Sequence, residues 1–412
     1  MVMLVACTSL KALGQDTLKL TLPEAETLFL QKNLTLLGER YNIDIARAQV
    51  IQQRLYNNPN FQLTGNIYNP QTNKKVDLSS KTGEYILGVQ QLILLAGKRN
   101  KQIKLAETNA AISESRFFDL LRTLRYSLRS DFYQLYYLQS SISVYQIQIG
   151  YLERLNAAYQ ELLTKGVVTL KDAVRIKSLL YSLRAEQTSL INQVNDLNAE
   201  VQILLQNNSA YVIPLPEAEK QIDFRSYPLA ALFDTAFLNR PDVKLAQNTV
   251  LYDQQNYSLQ KALATPDLTL GAQFDRRGSF VENASFFTLA IDLPFFNRNQ
   301  GNIRAARISM DQSRTFMQKQ QEAVQNEVQR AYMKLLNTDQ MLRSFDPAFK
   351  NQLDKLLQGV TENFQKKNIG LLEFVDFYES YRDNMLQFNQ LQNAKHQAIE
   401  DLQFAIGKTI FY

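Results

Sequence analysis

The sequence predicts a mainly α-helical fold with a four-stranded transmembrane β contribution. The expected assembly is a long coiled-coil α-helical barrel plus a β-barrel, which trimerisation completes at twelve strands. Three features of the 412 residues predict this fold: a motif order that occurs twice, long heptad runs with few turn residues, and four segments of period-two alternation. Together they describe a duplicated unit of helix, hairpin, long helix and returning helix.

The duplication comes first, because three motifs of the first half recur in the second about 200 residues later. We therefore expect a first structural repeat at 15–206, with a β-hairpin at about 60–93 and a helical tip near 166. The second repeat, 207–412, has a hairpin at about 266–294 and a tip near 368–372. The paired motifs are Asn58-Pro59 with Thr265-Pro266, Gly97-Lys98-Arg99 with Asn297-Arg298-Asn299, and Gly166-Val167-Val168 with Asn368-Ile369-Gly370.

Composition excludes several classes of protein. The charged residues (21%) are mixed in sign and form no like-charge block, so no nucleic-acid partner is expected. The chain holds one Cys and one His, too few for a disulfide framework, a zinc cluster or a Cys–His dyad. His396 lies in a Gln- and Asn-rich stretch and is expected to be a solvated surface residue. We therefore predict no enzyme activity, no cofactor and no metal site.

The N-terminus indicates export. Residues 1–10 are apolar and are followed by Ala12 and Gly14, small residues two apart, so residues 1–14 are interpreted as a signal peptide cleaved near Gly14. The alternative is a lipoprotein signal ending at Cys7, since Leu4-Val5-Ala6-Cys7 resembles a lipobox. No later run of about 18 apolar residues predicts a transmembrane helix.

Heptad spacing predicts long helices. One runs from about Lys104 to Lys165 and would form a rod about 90 Å long, and a returning helix ends near Gln206. In the second repeat a helix from about Ile303 breaks at Asp346-Pro347, where Asp346 is expected to be the N-cap, and continues to about Lys367. The first heptad rows are Leu121, Leu128, Leu135, Ile142 and Ile149, and Leu124, Leu138, Tyr145, Leu152 and Tyr159, with Asp131 as the one polar interruption.

Four segments alternate apolar and polar residues, with polar loops at 71–82 and 276–283, as membrane barrel strands do. No other strand-like segment is found to pair with them. Four strands cannot close, and an open edge in hydrocarbon leaves backbone groups unpaired. Three copies give twelve strands around a pore, with an eight-stranded dimer as the alternative. The apolar positions are Phe61, Leu63 and Ile67; Tyr85, Leu87 and Val89; Leu268, Leu270, Ala272 and Phe274; and Phe287, Leu289, Ile291 and Leu293.

Two phrases carry a resemblance to a known family. They are Asn239-Arg240-Pro241-Asp242-Val243 before the second hairpin, and the run from Asp292-Leu293-Pro294 to Gly301-Asn302-Ile303 after it. With the duplicated architecture, they make the mature chain similar to the TolC-like outer-membrane factors (outer membrane efflux proteins), and closest to the cation and heavy-metal efflux branch. The resemblance implies a homotrimeric duct in the bacterial outer membrane with a helical tunnel in the periplasm, and an equatorial segment at about 207–228. The implied partners are a periplasmic adaptor (membrane fusion) protein, an inner-membrane pump of the RND type and outer-membrane lipid.

The resemblance also assigns site residues. Helical tips are expected to dock the adaptor, with Gly166 and either Asn368 or Gly370 at positive φ where the chain reverses. Repeated in three copies around an axis, the acidic residues beside the second tip are expected to form rings that favour cations, a candidate periplasmic gate, with a solvated helix face as the alternative. The residues at the barrel-to-tunnel junction are expected to have structural roles and no chemistry. The tip residues are Gly166, Val167, Val168, Thr169, Leu170, Asn368, Ile369, Gly370, Leu371 and Leu372; the ring residues are Glu373, Asp376, Glu379 and Asp383; the junction residues are Gly97, Arg99, Asp292, Pro294, Asn297, Arg298 and Gly301.

The function expected from these features is that of a passive exit duct for an efflux system, powered by the inner-membrane pump. The substrates are expected to be metal cations or small toxic compounds. One alternative is the outer-membrane component of type I protein secretion. A second is a periplasmic coiled-coil adaptor, although adaptors carry compact β-domains that this sequence lacks.

Overall fold

The structure is a computed structural model that describes residues 16–79, 81–207, 210–215, 222–278, 280–346 and 348–411. The expected signal peptide at 1–14 and the alternative lipidation site Cys7 lie outside these residues. The chain forms two compact units. Unit 1 contains the described residues within Met1–Leu37, Asp119–Arg240 and Ala323–Tyr412, and unit 2 contains those within Gly38–Phe118 and Pro241–Glu322.

The two units do not follow the two sequence repeats. Each unit takes segments from both halves of the chain, because equivalent segments of the two halves pack together. The division into repeats at 15–206 and 207–412 therefore stays a prediction about the sequence, whereas the packing is organised by unit.

Helices account for most of the described chain. Their ends follow local signals: Thr21 caps α1 together with the Glu24 side chain, and Gly407 ends α9 in the left-handed conformation at φ 70°. The helices are α1 (Leu22–Lys32), α2 (Leu34–Arg54), α3 (Lys98–Thr164), α4 (Leu170–Leu205), α5 (Leu229–Asn239), α6 (Pro241–Leu263), α7 (Gln300–Ser344), α8 (Phe349–Gln365) and α9 (Leu371–Ile406), and a short 3₁₀ helix spans Phe224–Ser226.

The strands are β1 (Asp16–Leu20), β2 (Asn60–Gly65), β3 (Tyr68–Asn69), β4 (Lys74–Lys75), β5 (Tyr85–Ile93), β6 (Ala210–Pro214), β7 (Leu268–Asp275) and β8 (Ala284–Ile291). In unit 2, four of them form an antiparallel sheet in the order β2-β5-β7-β8. The small β3–β4 hairpin lies in the connection between β2 and β5, and its second strand falls inside the expected loop at 71–82. Within the described residues, no helix is both long and apolar enough to span a membrane.

Unit 1 contains a pair of strands that the sequence analysis missed. β1 and β6 pair in parallel, from Asp16 with Ala210 to Leu20 with Pro214, so the expectation of no strands beyond four was wrong. The other edge of β6 is held by α4, where the Asn198 amide donates to the Val212 carbonyl at 2.9 Å and accepts from its N–H at 3.3 Å. Side-chain amides thus replace a neighbouring strand, which periodicity alone does not reveal.

The break between α7 and α8 occurs where the sequence places it, but its chemistry differs. The N-cap of α8 is Ala348, not Asp346 as expected. Asp346 instead accepts a hydrogen bond from the Ala348 N–H at 2.8 Å, so it closes a turn before the helix. Pro347 lies outside the described residues.

His396 is the second correction. It is only 8% exposed, and its ring stacks on that of Tyr133 with centroids 4.2 Å apart. The expectation of a solvated surface residue was therefore wrong. Its neighbours in sequence are polar, but α9 turns this position toward α3, and a helical stretch rich in Gln and Asn still has a packed face.

Candidate channel-forming sheet and docking tips

One face of the four-stranded sheet is apolar and the other is polar, as the alternation predicted. Strand register places Phe61 beside Val89, Val89 beside Ala272 and Ala272 beside Phe287 across the whole sheet. Phe61 is 66% exposed and Phe287 73% exposed, so this face is uncovered in a single chain. The exceptions on it are Gln91 and Ser285. The opposite face carries mainly polar and small residues, namely Gln62, Thr64, Gly88, Gln90, Thr269, Gly271, Gln273, Asp275, Thr288 and Ala290, with Ile86, Leu92 and Phe286 as its large apolar exceptions.

The two edge strands of this sheet, β2 and β8, each have one partner among the described residues. All three pairings are antiparallel, so β2 and β8 run in opposite directions. A β8 edge can therefore pair with the β2 edge of another copy in the same antiparallel pattern. An uncovered apolar face and open edges of this kind are stable only where lipid and further strands cover them.

A buried ion pair fixes the helix-side end of the sheet. Lys98, in the first turn of α3, is 4% exposed in its side chain, and its Nζ lies 2.7 Å from Asp267 Oδ1. The same Nζ donates to the Thr265 carbonyl at 2.6 Å, and Asp267 also accepts from the Leu95 N–H. Both motifs recur along the chain, but neither Lys98 nor Asp267 was assigned a role from the sequence. The signal that could have identified these residues is their position, because Lys98 follows Gly97 and Asp267 follows Pro266 within motifs that recur in the other half of the chain.

The expected junction residues flank this end of the sheet, and they act through local geometry. Gly97 has φ 66°, and Arg99 lies over the Tyr56 ring at 4.0 Å. At the start of α7, Asn297 accepts from the Asn299 N–H, and the Arg298 N–H donates to the Gln300 side chain. Asp292, Arg298 and Gly301 are exposed, and Pro294 follows β8 in the same connection.

The first tip, between α3 and α4, is closed by backbone hydrogen bonds. The Gly166 N–H donates to the Leu163 carbonyl and the Val167 N–H to the Leu162 carbonyl, the pattern of a Schellman motif. Gly166 has φ 71°, as expected. Thr169 then caps α4, because its Oγ1 accepts from the Asp172 N–H at 3.2 Å.

The second tip repeats these hydrogen bonds with different residues. Lys367 N–H donates to Phe364 O and Asn368 N–H to Asn363 O. Lys367, at φ 60°, occupies the left-handed position, so the expectation that Asn368 or Gly370 takes positive φ was wrong. Gly370 has φ −79° and is the N-cap of α9, without a side-chain hydrogen bond.

Apolar side chains at both tips remain uncovered. Val167 is 58% exposed, Leu170 is 66% exposed and Leu372 is 65% exposed, while Val168 and Ile369 are half-buried in the turns. Beneath both turns, α3, α4, α8 and α9 share one aromatic core. The Phe364 and Phe374 rings stack with centroids 4.4 Å apart, and Tyr159 stacks on Phe364 at 6.3 Å.

The four expected ring residues all lie on the exposed side of α9. Glu373, Asp376, Glu379 and Asp383 fall within an arc of about 120°, opposite the buried Phe374. Their environments differ, since Arg382 Nε lies 2.9 Å from Asp383 Oδ1 and its Nη1 lies 3.4 Å from Glu186. The Tyr145 hydroxyl donates to Glu186 at 3.0 Å, and burial together with this hydrogen bond raises the pKa of Tyr145 to about 12.

Charged groups inside unit 1 are mostly paired. Arg129 joins Glu26 at 2.8 Å and Glu400 at 2.6 Å, which ties α1, α3 and α9 together. Asp131 is different: burial raises its pKa to about 6, and nearby Glu200 adds to this shift. Within the part of the chain that the structure describes, no group of three or more His, Cys, Asp or Glu residues is arranged to hold a metal ion.

Arg240 explains the first phrase of the resemblance. It is 2% exposed, and its Nη1 donates to Glu327 Oε2 at 2.7 Å and to the Ala405 carbonyl at 2.8 Å. Gly407 packs directly on it, because a Cβ added at Gly407 would lie 3.0 Å from Arg240 Cγ. Arg240 in this motif therefore has a structural role, since it fixes the C-terminal end of α9 by hydrogen bonding and packing.

Comparisons with known proteins agree with this geometry. The family model described as "Outer membrane efflux protein" matches residues 27–182 and 232–408. The cobalt-zinc-cadmium resistance protein CzcC of Cupriavidus metallidurans is 23% identical over 386 residues, which cover 92% of this chain and 84% of that protein.

Solved structures share the fold. A membrane protein from Pseudomonas aeruginosa superposes with a TM-score of 0.76 at 19% identity, covering 94% of this chain and 93% of that one. The Campylobacter jejuni CmeC outer membrane channel gives a TM-score of 0.76 at 14% identity, covering 95% of this chain and 86% of that one. Because the family model matches most of the chain, including both hairpins and both tips, this protein belongs to the outer membrane efflux protein family.

Proposed function

We propose that three copies of this chain form a passive exit duct that conducts substrates from the periplasm to the outside. The sheet carries this proposal. It has an uncovered apolar face for lipid, a polar face for water and two open edges that run in opposite directions. Three copies close twelve strands, which leaves room for a water-filled pore, whereas eight strands fill their interior with side chains.

The two tips are proposed as the docking surface for a periplasmic adaptor protein, which links the duct to an inner-membrane pump of the RND type. The support is the uncovered apolar side chains Val167, Leu170 and Leu372, which lie at the two helical turns. Apolar groups exposed together at a helix turn favour a partner that covers them.

The acidic face of α9 is proposed to form the periplasmic gate. Three copies of Glu373, Asp376 and Glu379 around one axis would make rings of negative charge, which favour cations. Asp383 contributes less, since Arg382 neutralises it. The cargo proposed is metal cations, because the similar CzcC is named for cobalt, zinc and cadmium resistance; small organic toxicants and secreted polypeptides remain the alternatives.

Membrane fractionation followed by gel electrophoresis with and without boiling tests the assembly. We expect the protein in the outer-membrane fraction, with an unboiled species near three times the mass of the chain that boiling converts to monomer. A single water-soluble chain that needs no detergent would contradict the proposal, and a species of twice the chain mass would favour the eight-stranded dimer.

Tip variants test docking separately from assembly. Leu170→Asp together with Leu372→Asp places charge on both apolar tips, so efflux should be lost while the unboiled trimer persists. Leu238→Asp, at an exposed apolar position away from the tips (73% exposed), is the matched control and should leave efflux unchanged. Full efflux by the double variant would show that the tips are not the docking surface.

A further inference from the structure

A cleft of about 580 Å³ lies in unit 2, where β5 passes into the first turn of α3. The end of α2 and the connection after it form the opposite wall. The cleft opens where β5 extends beyond β2. The first residue of β2, Asn60, pairs with Gln90, so the last three residues of β5 have no described strand beside them on the β2 side. Its lining residues are Gln52, Gln53, Leu55, Tyr56, Asn57, Gln91, Leu92, Ile93, Leu94, Arg99 and Gln102.

Arg99 is the cation of this cleft, and its guanidinium is held in place. It stacks over the Tyr56 ring at 4.0 Å, and its Nη2 donates to the carbonyl of Arg54 at the end of α2. Arg99 Nε is buried and makes no hydrogen bond among the described residues, so a ligand in the cleft would contact the outer part of the guanidinium. A guanidinium fixed in this way is suited to bind an oxyanion.

The start of α3 increases the local positive charge. The helix begins Lys98-Arg99-Asn100-Lys101 and has no acidic residue in its first turn, although its positive dipole end disfavours cations there. Lys98 is neutralised by Asp267, and Lys101 Nζ donates to the Ala96 carbonyl. Arg99 and Lys101 are therefore the cations without an acidic partner in these contacts, and of the two only Arg99 lines the cleft.

The cleft is also continuous with the apolar face of the sheet. Gln91 and Ile93 belong to that face, and Leu55 on the opposite wall is 58% exposed. Gln91 Nε2 donates to the Asn57 carbonyl at 2.9 Å, which keeps the amide at the rim of the cleft. A ligand that fits must therefore combine an anionic head with hydrocarbon lying along the sheet.

We propose that this cleft binds the phosphate headgroup of an anionic glycerophospholipid from the periplasmic leaflet of the outer membrane. Arg99 contacts the phosphate, Tyr56 lies at the membrane interface as aromatic side chains of membrane proteins do, and the acyl chains follow the apolar face past Ile93. The inference rests on the proposed function in one respect only: the apolar face must contact lipid.

Native mass spectrometry of the detergent-purified assembly, after exchange with defined lipids, tests the site. The probes are dioleoyl phosphatidylglycerol and, as the zwitterionic comparison, dioleoyl phosphatidylcholine. We expect Arg99→Gln to lower retention of phosphatidylglycerol about tenfold, the loss typical of one charge-assisted contact. Arg298→Gln removes the same charge at the exposed start of α7 and should retain as much lipid as the unchanged protein.

Tyr56→Ala provides a second variant that leaves the charge in place. It removes the ring beneath the guanidinium and should weaken phosphatidylglycerol retention severalfold. Unboiled gels of the unchanged protein and of every variant report assembly. Absence of a trimer in the unchanged protein would contradict the proposed function, whereas loss of lipid from an intact variant trimer supports the cleft. Equal retention by Arg99→Gln and the unchanged protein would overturn the proposal. So would displacement of the lipid by inorganic phosphate alone, or an unchanged trimer that retains no lipid because a neighbouring copy fills the cleft.

Discussion

The two helical tips have the same hydrogen-bonded backbone but different local chemistry. At an offset of 201 residues, Gly166 corresponds to Lys367 and Thr169 to Gly370, and both turns use the same pair of Schellman hydrogen bonds. The first tip has a residue suited to each position: glycine where φ is positive, and threonine where α4 needs a cap. The second has a lysine in the left-handed position and a glycine without a capping side chain.

The difference indicates that the second tip depends on packing where the first depends on local sequence. A lysine with φ 60° carries a cost of roughly 1–2 kcal/mol that glycine avoids. Phe364 and Phe374 on either side of that turn stack at 4.4 Å and compensate by burial. The second tip also follows the break between α7 and α8, whereas α3 reaches the first tip without interruption. We infer that the second tip is the more easily rearranged of the two.

The largest expected effect is on the shared aromatic core. Phe374→Ala should lower the free energy of unfolding of the tip region by about 3–5 kcal/mol, because a fully buried ring is replaced by a cavity. Denaturant titration followed by helical circular dichroism measures the change. Phe377→Ala, at a 36% exposed position of the same helix, is the control and should cost about 1 kcal/mol or less. Equal losses would mean that the second tip is not supported by this core.

Exchanging the residues at the left-handed positions should have opposite effects on the two tips. Gly166→Lys should destabilise the first by about 1 kcal/mol, and Lys367→Gly should stabilise the second by a similar amount. The same titrations measure both. Lys366→Gly is the control, since Lys366 has φ −78° and gains nothing from glycine. If Lys367→Gly is neutral or destabilising, the lysine is not strained and the comparison fails.

The smallest expected effect concerns the helix caps. Thr169→Ala removes the hydroxyl that accepts from Asp172 N–H and should cost about 1 kcal/mol. Gly370→Ser supplies a hydroxyl with Glu373 three residues on, a capping box, and should gain a few tenths of a kcal/mol. Amide hydrogen exchange in the first turns of α4 and α9 reports each change locally. Unchanged protection in both helices would show that packing alone holds these ends.

Much of this architecture could be predicted because its period is visible in the sequence. Heptads predicted a helix at about Lys104 to Lys165, and the structure has Lys98–Thr164. Alternation predicted the strands, since one face must contact lipid and the other water. The β1–β6 pair was missed because side-chain amides of α4 satisfy one edge of β6, and five residues that end at Pro214 carry no periodic signal.

The site residues were harder to predict, because tertiary packing overrides local preference there. Glycine and asparagine are the usual residues at positive φ, so Asn368 or Gly370 was expected there, yet Lys367 takes that conformation in a turn flanked by the stacked rings of Phe364 and Phe374. Likewise Lys98 and Arg240 are cations that a composition count assigns to the surface, but each is buried and donates to acceptors supplied by distant segments. Sequence motifs marked both positions without revealing the partners.

Disulfide cross-linking between the two sheet edges tests the closure of the barrel by neighbouring copies most directly. With Cys7→Ala as background, Thr64→Cys on β2 and Thr288→Cys on β8 place thiols on the same polar face at opposite edges of one chain's sheet. Oxidation in membranes should give covalent dimers and trimers, and either single variant should give none. If the paired variant yields only monomer, neighbouring copies do not complete this sheet.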